Sequence, residues 1–322
     1  MPVLHVPARS GRAHLPAGER VPALTGTGPG TLEEPELLQL LAEGEIDVQG
    51  RITGASNATL YVAVTLDGVS TGAVYKPISG EKPLWDFPSG TLGLRETASY
   101  ALSAYSGLDV VPPTALRDGP FGPGSVQLWV NASAQDEAVA GEGATGLGGL
   151  PLAVEPLMGE PGAGVVDVLP PAAVPGDWKQ VLVAEDAVGD PIVLAHADDP
   201  GLRRLALFDA VANNTDRKGG HILRGAHGRL FGVDHGLTFN LDDKLRTVLW
   251  GWAGEPLDDE LAELLGRLVT DLSGDSELHT ALSGLLEADE VHRTARRAAQ
   301  LLRRRRFPKP PGDWHAIPWP PF

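Results

Sequence analysis

Ala212-Asn213-Asn214-Thr215-Asp216-Arg217-Lys218-Gly219-Gly220-His221 closes an apolar helix, and Val233-Asp234-His235-Gly236 follows a short apolar strand a little further on. Between them, Ile222-Leu223 and Leu230-Phe231-Gly232-Val233 read as two short strands flanking a turn at Ala226-His227-Gly228. Polar residues crowded behind an apolar helix gain nothing by packing. One such loop alone reads equally well as a helix end capped by glycine. The hairpin changes the odds, because it returns a second aspartate toward the first.

An aspartate leaving an apolar strand into glycine is where phosphotransferases put a Mg²⁺ ligand. Upstream, strands are expected over 46–52, 59–66 and 69–76, joined by a polar turn at Gly54-Ala55-Ser56-Asn57 and a hairpin turn at Asp67-Gly68, which makes a three-stranded antiparallel sheet. The third strand ends in Val74-Tyr75-Lys76-Pro77, with a lysine that alternation alone does not place. A helix over 92–105 follows, with Leu94, Ala98, Ala101, Leu102 and Tyr105 at helical spacing and Gly107 as its stop. Glu96 stands among those apolar neighbours, where a carboxylate is costly unless paired. A Lys and Glu pair at such places holds the α and β phosphates in kinases.

Further out, 125–130 reads as an apolar strand, and 132–176, rich in Ala, Gly and Pro, as a connector or insertion. A hairpin over 181–195 leads to a helix that starts at Asp199-Pro200, Asp as N-cap and Pro at the first position, and runs to about residue 211. Beyond Gly254 three apolar stripes mark helices: Leu261, Leu264, Leu265 and Leu268, then Leu278, Leu282 and Leu285, then 291–302. The expected fold is α+β and two-lobed, protein-kinase-like. An N-terminal arm (1–30), a sheet-based N-lobe (31–131), the connector (132–176) and a mostly helical C-lobe (177–322) follow in order.

Composition excludes other classes. With no cysteine among 322 residues, disulfide scaffolds and thiolate metal sites are out, and nothing marks an oxidising compartment. No apolar run reaches the length of a spanning helix, so the chain is read as cytoplasmic, with at most peripheral membrane contact. A formal charge of −16 argues against nucleic acid as partner. Residues 291–322 are basic nonetheless, and their Pro and Trp content, without a helical moment, is read as docking on the chain's own body. Three patterns are decoys. Gly68-Val69-Ser70-Thr71-Gly72 lacks the exit helix of a nucleophile elbow. The G-x-G-x-x-G at 141–146 has no strand before it. His221, His227 and His235 match no usual zinc spacing.

The Val74-Tyr75-Lys76-Pro77 strand, the Phe208-Asp209 helix running into Asn214-Thr215-Asp216-Arg217, and Val233-Asp234-His235-Gly236 are together similar to the lysine, catalytic-loop and metal-binding motifs of the phosphatidylinositol 3-/4-kinase catalytic family. The chain resembles in particular the type II phosphatidylinositol 4-kinases and their bacterial relatives, over about residues 50–252. The resemblance implies ATP and Mg²⁺ as cofactors. Gly54, Ser56 and Asn57 would cover the phosphates, Lys76 would contact them, and Glu96 would orient Lys76. Gln127, Leu128, Trp129 and Val130 would form the adenine hinge. Asp216 would orient the acceptor hydroxyl and Asp234 would hold the metal. One departure stands out: five residues after Asp216, where such kinases place Asn as a second metal ligand, the residue is His221. Imidazole suits Mn²⁺ better than Mg²⁺. The segment 237–252 would be the substrate loop, with Lys244 and Arg246 as candidates to meet an anionic group. The expected activity is transfer of the γ-phosphoryl group of ATP to a hydroxyl on a protein or small molecule. A phosphatidylinositol lipid kinase and a nucleotide-binding pseudokinase are the alternatives.

Overall fold

Alternating apolar residues in 60–75 produce the central hairpin: Val62, Val64, Ala73 and Tyr75 all point to one face and are fully buried. The turn between them, Asp67 (φ 50°) and Gly68 (φ 80°), takes the double left-handed geometry that suits the strand twist. The computed structural model describes residues 21–22, 31–52, 55–130, 161–225, 228–312 and 316–322. Gly54, His227 and the motif at 141–146 lie outside the described residues, as do most of 1–30 and of the connector.

Two short strands, β1 (Val21–Pro22) and β2 (Thr31–Leu32), pair ahead of helix α1 (Glu34–Glu43). Five antiparallel strands follow: β3 (Glu45–Arg51), β4 (Leu60–Leu66), β5 (Val69–Pro77), β6 (Thr114–Gly119) and β7 (Gly122–Leu128), in the order β3-β4-β5-β7-β6. Leu37, Leu40 and Leu41 of α1 pack on the face that carries Val62, Val64, Ala73, Tyr75 and Val126. Lys76 therefore belongs to the opposite face, paired in register with Ser125. The sheet has two strands more than the three expected from 46–76. One of them, β6, has too little alternation in Thr-Ala-Leu-Arg-Asp-Gly to be legible.

Helix α2 (Leu92–Ser106) comes between β5 and β6 and ends on left-handed Gly107. It is buried on nearly every side, Arg95 and Glu96 included, because Ala98, Tyr100, Ala101 and Leu102 join the core of the second lobe while the sheet covers the rest. Arg95 leaves α2 to pair with Glu290 and to donate to the carbonyl of Thr238 at 2.7 Å, tying the lobes together.

The second lobe begins with β8 (Val166–Leu169), β9 (Trp178–Glu185) and β10 (Pro191–Ala197) in the order β8-β10-β9. Residues 166–169, read from composition as connector, thus form a strand, recruited by pairing to β10 rather than by any pattern of their own. Helix α3 (Pro200–Ala212) starts where Asp199 accepts from the amides of Gly201 (2.7 Å) and Leu202 (3.2 Å), with Pro200 in the first turn. The hairpin β11 (Ile222–Arg224) and β12 (Leu230–Gly232) follows. Then α4 (Asp259–Ser273), α5 (Glu277–Ser283) and α6 (Ala288–Arg304) close the lobe. Among the described residues no helix is long and apolar enough to cross a membrane.

Candidate active site

Lys76, Glu96 and Asp234 meet between the lobes. The ammonium of Lys76 pairs with Oε1 of Glu96 and donates to Oδ1 of Asp234 at 2.8 Å. Glu96 spends its second oxygen on the backbone amide of His235, at 2.9 Å. A carboxylate on α2 thereby fixes both the lysine of β5 and the loop that carries Asp234. Burial opposes the charge on Lys76, but Asp234 and Glu96 outweigh it and hold its pKa above the ordinary value. The positive charge of Lys76 likewise holds Asp234 well below the usual carboxylate range. Asp234 itself sits at φ 59°, a left-handed conformation that is costly for a residue with a Cβ, and its side chain remains 55% exposed. An ionised, half-exposed carboxylate next to a lysine suits a phosphate-bound cation.

Beneath it lies a sealed network that carries no solvent-facing charge. Arg217 binds both oxygens of Asp209 (2.9 and 3.0 Å), and both side chains are 0% exposed. The same guanidinium donates to the carbonyls of Val233 (2.9 Å) and His221 (3.2 Å) and meets Nε2 of His235 at 2.6 Å. Asn214 donates to Asp209 at 3.0 Å, and its carbonyl end accepts from the amide of Asp216 at 2.9 Å. Gly232 is required here, since a Cβ would lie 2.8 Å from Nη2 of Arg217. Arg217 thus couples α3, the loop 213–221 and the Asp234 loop. Sequence reading assigned Arg217, Asp209 and Asn214 no role beyond membership of a motif. The one available signal was a carboxylate, Asp209, in the apolar second half of α3.

Asp216 sits beside this network with its carboxylate 3.3 Å from the ammonium of Lys218. Burial raises its pKa, against the pull of Lys218. His221 brings Nε2 to 3.5 Å from Oδ2 of Asp234, and burial lowers its pKa to about 4, so the ring is neutral at pH 7. Its Nδ1 is buried with no partner. The remaining predicted site residues are further dispersed. Ser56 is exposed, and Asn57 accepts through Oδ1 from the amide of Lys82 at 2.8 Å. Gln127 donates to Thr114 at 2.9 Å. The amides of Leu128 and Trp129 bond the carbonyls of Pro113 (2.9 Å) and Gly72 (3.0 Å). Val130 reaches the second lobe, where its side chain lies against Gly225. In the segment 237–252, Lys244 is taken up by Asp86 at 3.3 Å and by the face of Trp85.

Among solved structures, the chain is similar to a Golgi casein kinase (TM-score 0.43, 14% identity, 84% of this chain and 74% of that one) and to the Golgi casein kinase with Mn/ADP bound (0.46, 13%, 84% and 75%). It is also similar to the Helicobacter pylori proinflammatory kinase CtkA (0.41, 9%, 83% and 94%). No protein-family model matches the chain, so the likeness to phosphatidylinositol kinases rests on the quoted motifs alone. A curated relative matches nearly end to end: Protein Rv2133c of Mycobacterium tuberculosis is 46% identical over 283 residues, 88% of this chain and 94% of that protein. The chain belongs to the family of Protein Rv2133c.

Proposed function

We propose that this chain is an ATP-dependent phosphotransferase acting on a hydroxyl acceptor. The observation that carries the reading is the bifurcated Lys76, bound at once to Glu96 of α2 and to Asp234, with Asp216 on the neighbouring loop. Lys76 would bind the α and β phosphates once nucleotide displaces Asp234 from it, while Glu96 keeps the ammonium aimed into the cleft. Asp216 would orient the acceptor O–H and take its proton as the oxygen attacks the γ-phosphorus. The bond from that phosphorus to the β-bridging oxygen breaks, and ADP leaves with the electron pair.

Asp234 and His221 fit a divalent cation. Their facing atoms are 3.5 Å apart, so the two side chains would be able to hold one ion between them. Among the described residues no group of three or more acidic, His or Cys side chains is arranged to hold a metal, so phosphate oxygens and water would complete the shell. Asp234 and His221 would hold the cation, which would supply charge neutralisation to the phosphates. The neutral imidazole favours Mn²⁺ alongside Mg²⁺.

A protein or small-molecule acceptor is favoured over a lipid, because Lys244, one of the two candidates for an anionic head group, is already paired with Asp86. The pseudokinase reading is disfavoured by the intact Lys76, Asp216 and Asp234. The test is incubation with γ-labelled ATP and Mg²⁺ or Mn²⁺, following label in the protein, in water and in phosphoinositide vesicles. Label in none of the three with either metal removes the transferase reading, and label confined to the vesicles makes it a lipid kinase.

A further inference from the structure

Residues 316–322 lie across the two segments that back Asp216. The carbonyl of Ala316 accepts from the amide of Thr247 at 3.1 Å and from the indole of Trp250 at 2.7 Å. The carbonyl of Pro321 accepts from the amide of Gly219 at 2.7 Å. Ile317 and Phe322 pack against the main core. The fit at Gly219 is close: a Cβ there would lie 2.2 Å from the ring of Phe322, so only glycine admits the ring. Thr247 is itself bridged to Arg217, and Val248 donates to the carbonyl of Arg217 at 3.1 Å. The segment 316–322 therefore extends a ladder whose inner rung is the loop carrying Asp216. Without it, the Gly219 amide and the outer edge of residues 246–248 would lose these partners, and the Gly219 end of the loop would lose its outer support.

We infer that residues 316–322 are a positioning strap for the catalytic loop, in which Pro321 and Phe322 act through Gly219 to fix Asp216 for phosphoryl transfer. The inference rests on the transferase reading for its consequence in turnover, but the strap's hold on the loop can be measured without any turnover. Its hydrogen bonds run to Gly219, Thr247 and Trp250 rather than to Lys76 or Asp234, so nucleotide binding should not need it.

The test uses the full chain with Phe322→Ala, Phe322→Leu and Gly219→Ala. Hydrogen exchange should show the amides of 214–221 opening about tenfold faster in Phe322→Ala and Gly219→Ala, with 60–77 unchanged and Phe322→Leu close to the parent. Transfer of γ-label with ATP and Mn²⁺ should fall about tenfold in kcat in the same two variants, with KM for ATP within roughly twofold of the parent and recovery in Phe322→Leu. Unchanged exchange at 214–221 overturns the strap. Faster transfer in Phe322→Ala also overturns it, because it would make the segment a cover over the acceptor side. If the parent binds ATP but transfers nothing, the transferase reading falls, and the exchange result still decides whether the strap holds the loop.

Discussion

Two charge networks meet at residues 233–235, and what separates them is access to water. Arg217 and Asp209 are sealed, 0% exposed on both sides, and every donor of the guanidinium is directed at protein. Lys76 and Asp234 are open, 22% and 55% exposed, and share one hydrogen bond that a ligand can replace. Glu96 stands between the two, buried like the first pair but bonded to the second. A sealed pair cannot exchange partners without unfolding its surroundings, so it sets geometry. An open pair can exchange its counter-ion for a ligand, as the proposed phosphoryl transfer requires. The difference predicts opposite mutational signatures.

The largest effect is expected at the sealed pair. Arg217→Ala leaves the Asp209 charge uncompensated in the core and should cost about 3–5 kcal/mol in denaturant unfolding. The double change Arg217→Met with Asp209→Leu should recover most of that loss, since apolar replacements of similar volume remove both charges at once. If the double variant is as unstable as Arg217→Ala, the network matters through its hydrogen bonds to Val233 and His221 rather than through charge.

At the open pair the pattern should reverse. Lys76→Met is expected to lower transfer by roughly 10³-fold while costing only about 1–2 kcal/mol of stability, because Asp234 reaches solvent and Glu96 keeps the His235 amide. Equal losses of stability in Lys76→Met and Arg217→Ala would erase the distinction. Asp216→Ala sharpens it from a third position. Asp216 should matter for turnover, by about 10²-fold, with ATP affinity unchanged and about 1 kcal/mol or less of stability lost. A destabilised but fully active Asp216→Ala would make it a structural residue of the loop.

The smallest effect involves a buried histidine remote from both networks. His196 is 0% exposed, meets the carbonyl of Ala197 through Nδ1 (2.9 Å) and accepts at Nε2 from the amide of Gly251 (3.0 Å). Burial lowers its pKa from 6.5 to about 4. Between those values the unfolded chain binds a proton that the folded chain refuses, so stability falls as pH drops below 6.5. His196 should account for on the order of 2 kcal/mol of the loss at pH 5, and His196→Gln should flatten that part of the pH profile. An unchanged slope would mean that the imidazole gains solvent when protonated.

Legibility followed the same division. Lys76, Glu96 and Asp234 were readable because each breaks a local pattern: a lysine closing an apolar strand, a carboxylate on an apolar helix, an aspartate between an apolar strand and glycine. The central hairpin was readable from alternation and from Asp67-Gly68. Arg217 was not, because a charged residue in a loop of charged residues gives no hint that it is buried, and its partners are a helix side chain, the His235 ring and the carbonyls of His221 and Val233. Strands β6 and β8 exist through pairing, with little alternation of their own. The amides of Leu128 and Trp129, within the stretch expected to face adenine, complete the sheet, a pairing that an apolar run does not report. The seat of Phe322 on Gly219 depends on a missing Cβ, which no periodicity reports.

The role proposed for Lys76 and Asp234 requires that the open pair be a nucleotide site. The direct measurement is the melting temperature of the parent and of Lys76→Met, each with and without millimolar ATP and Mg²⁺ or Mn²⁺. A ligand that binds only the folded state stabilises by mass action, so the parent should rise by roughly 2–5 °C with ATP and at least one of the metals, and Lys76→Met should not move. A parent that does not respond to ATP with either metal, or a Lys76→Met that rises as much as the parent, would contradict it.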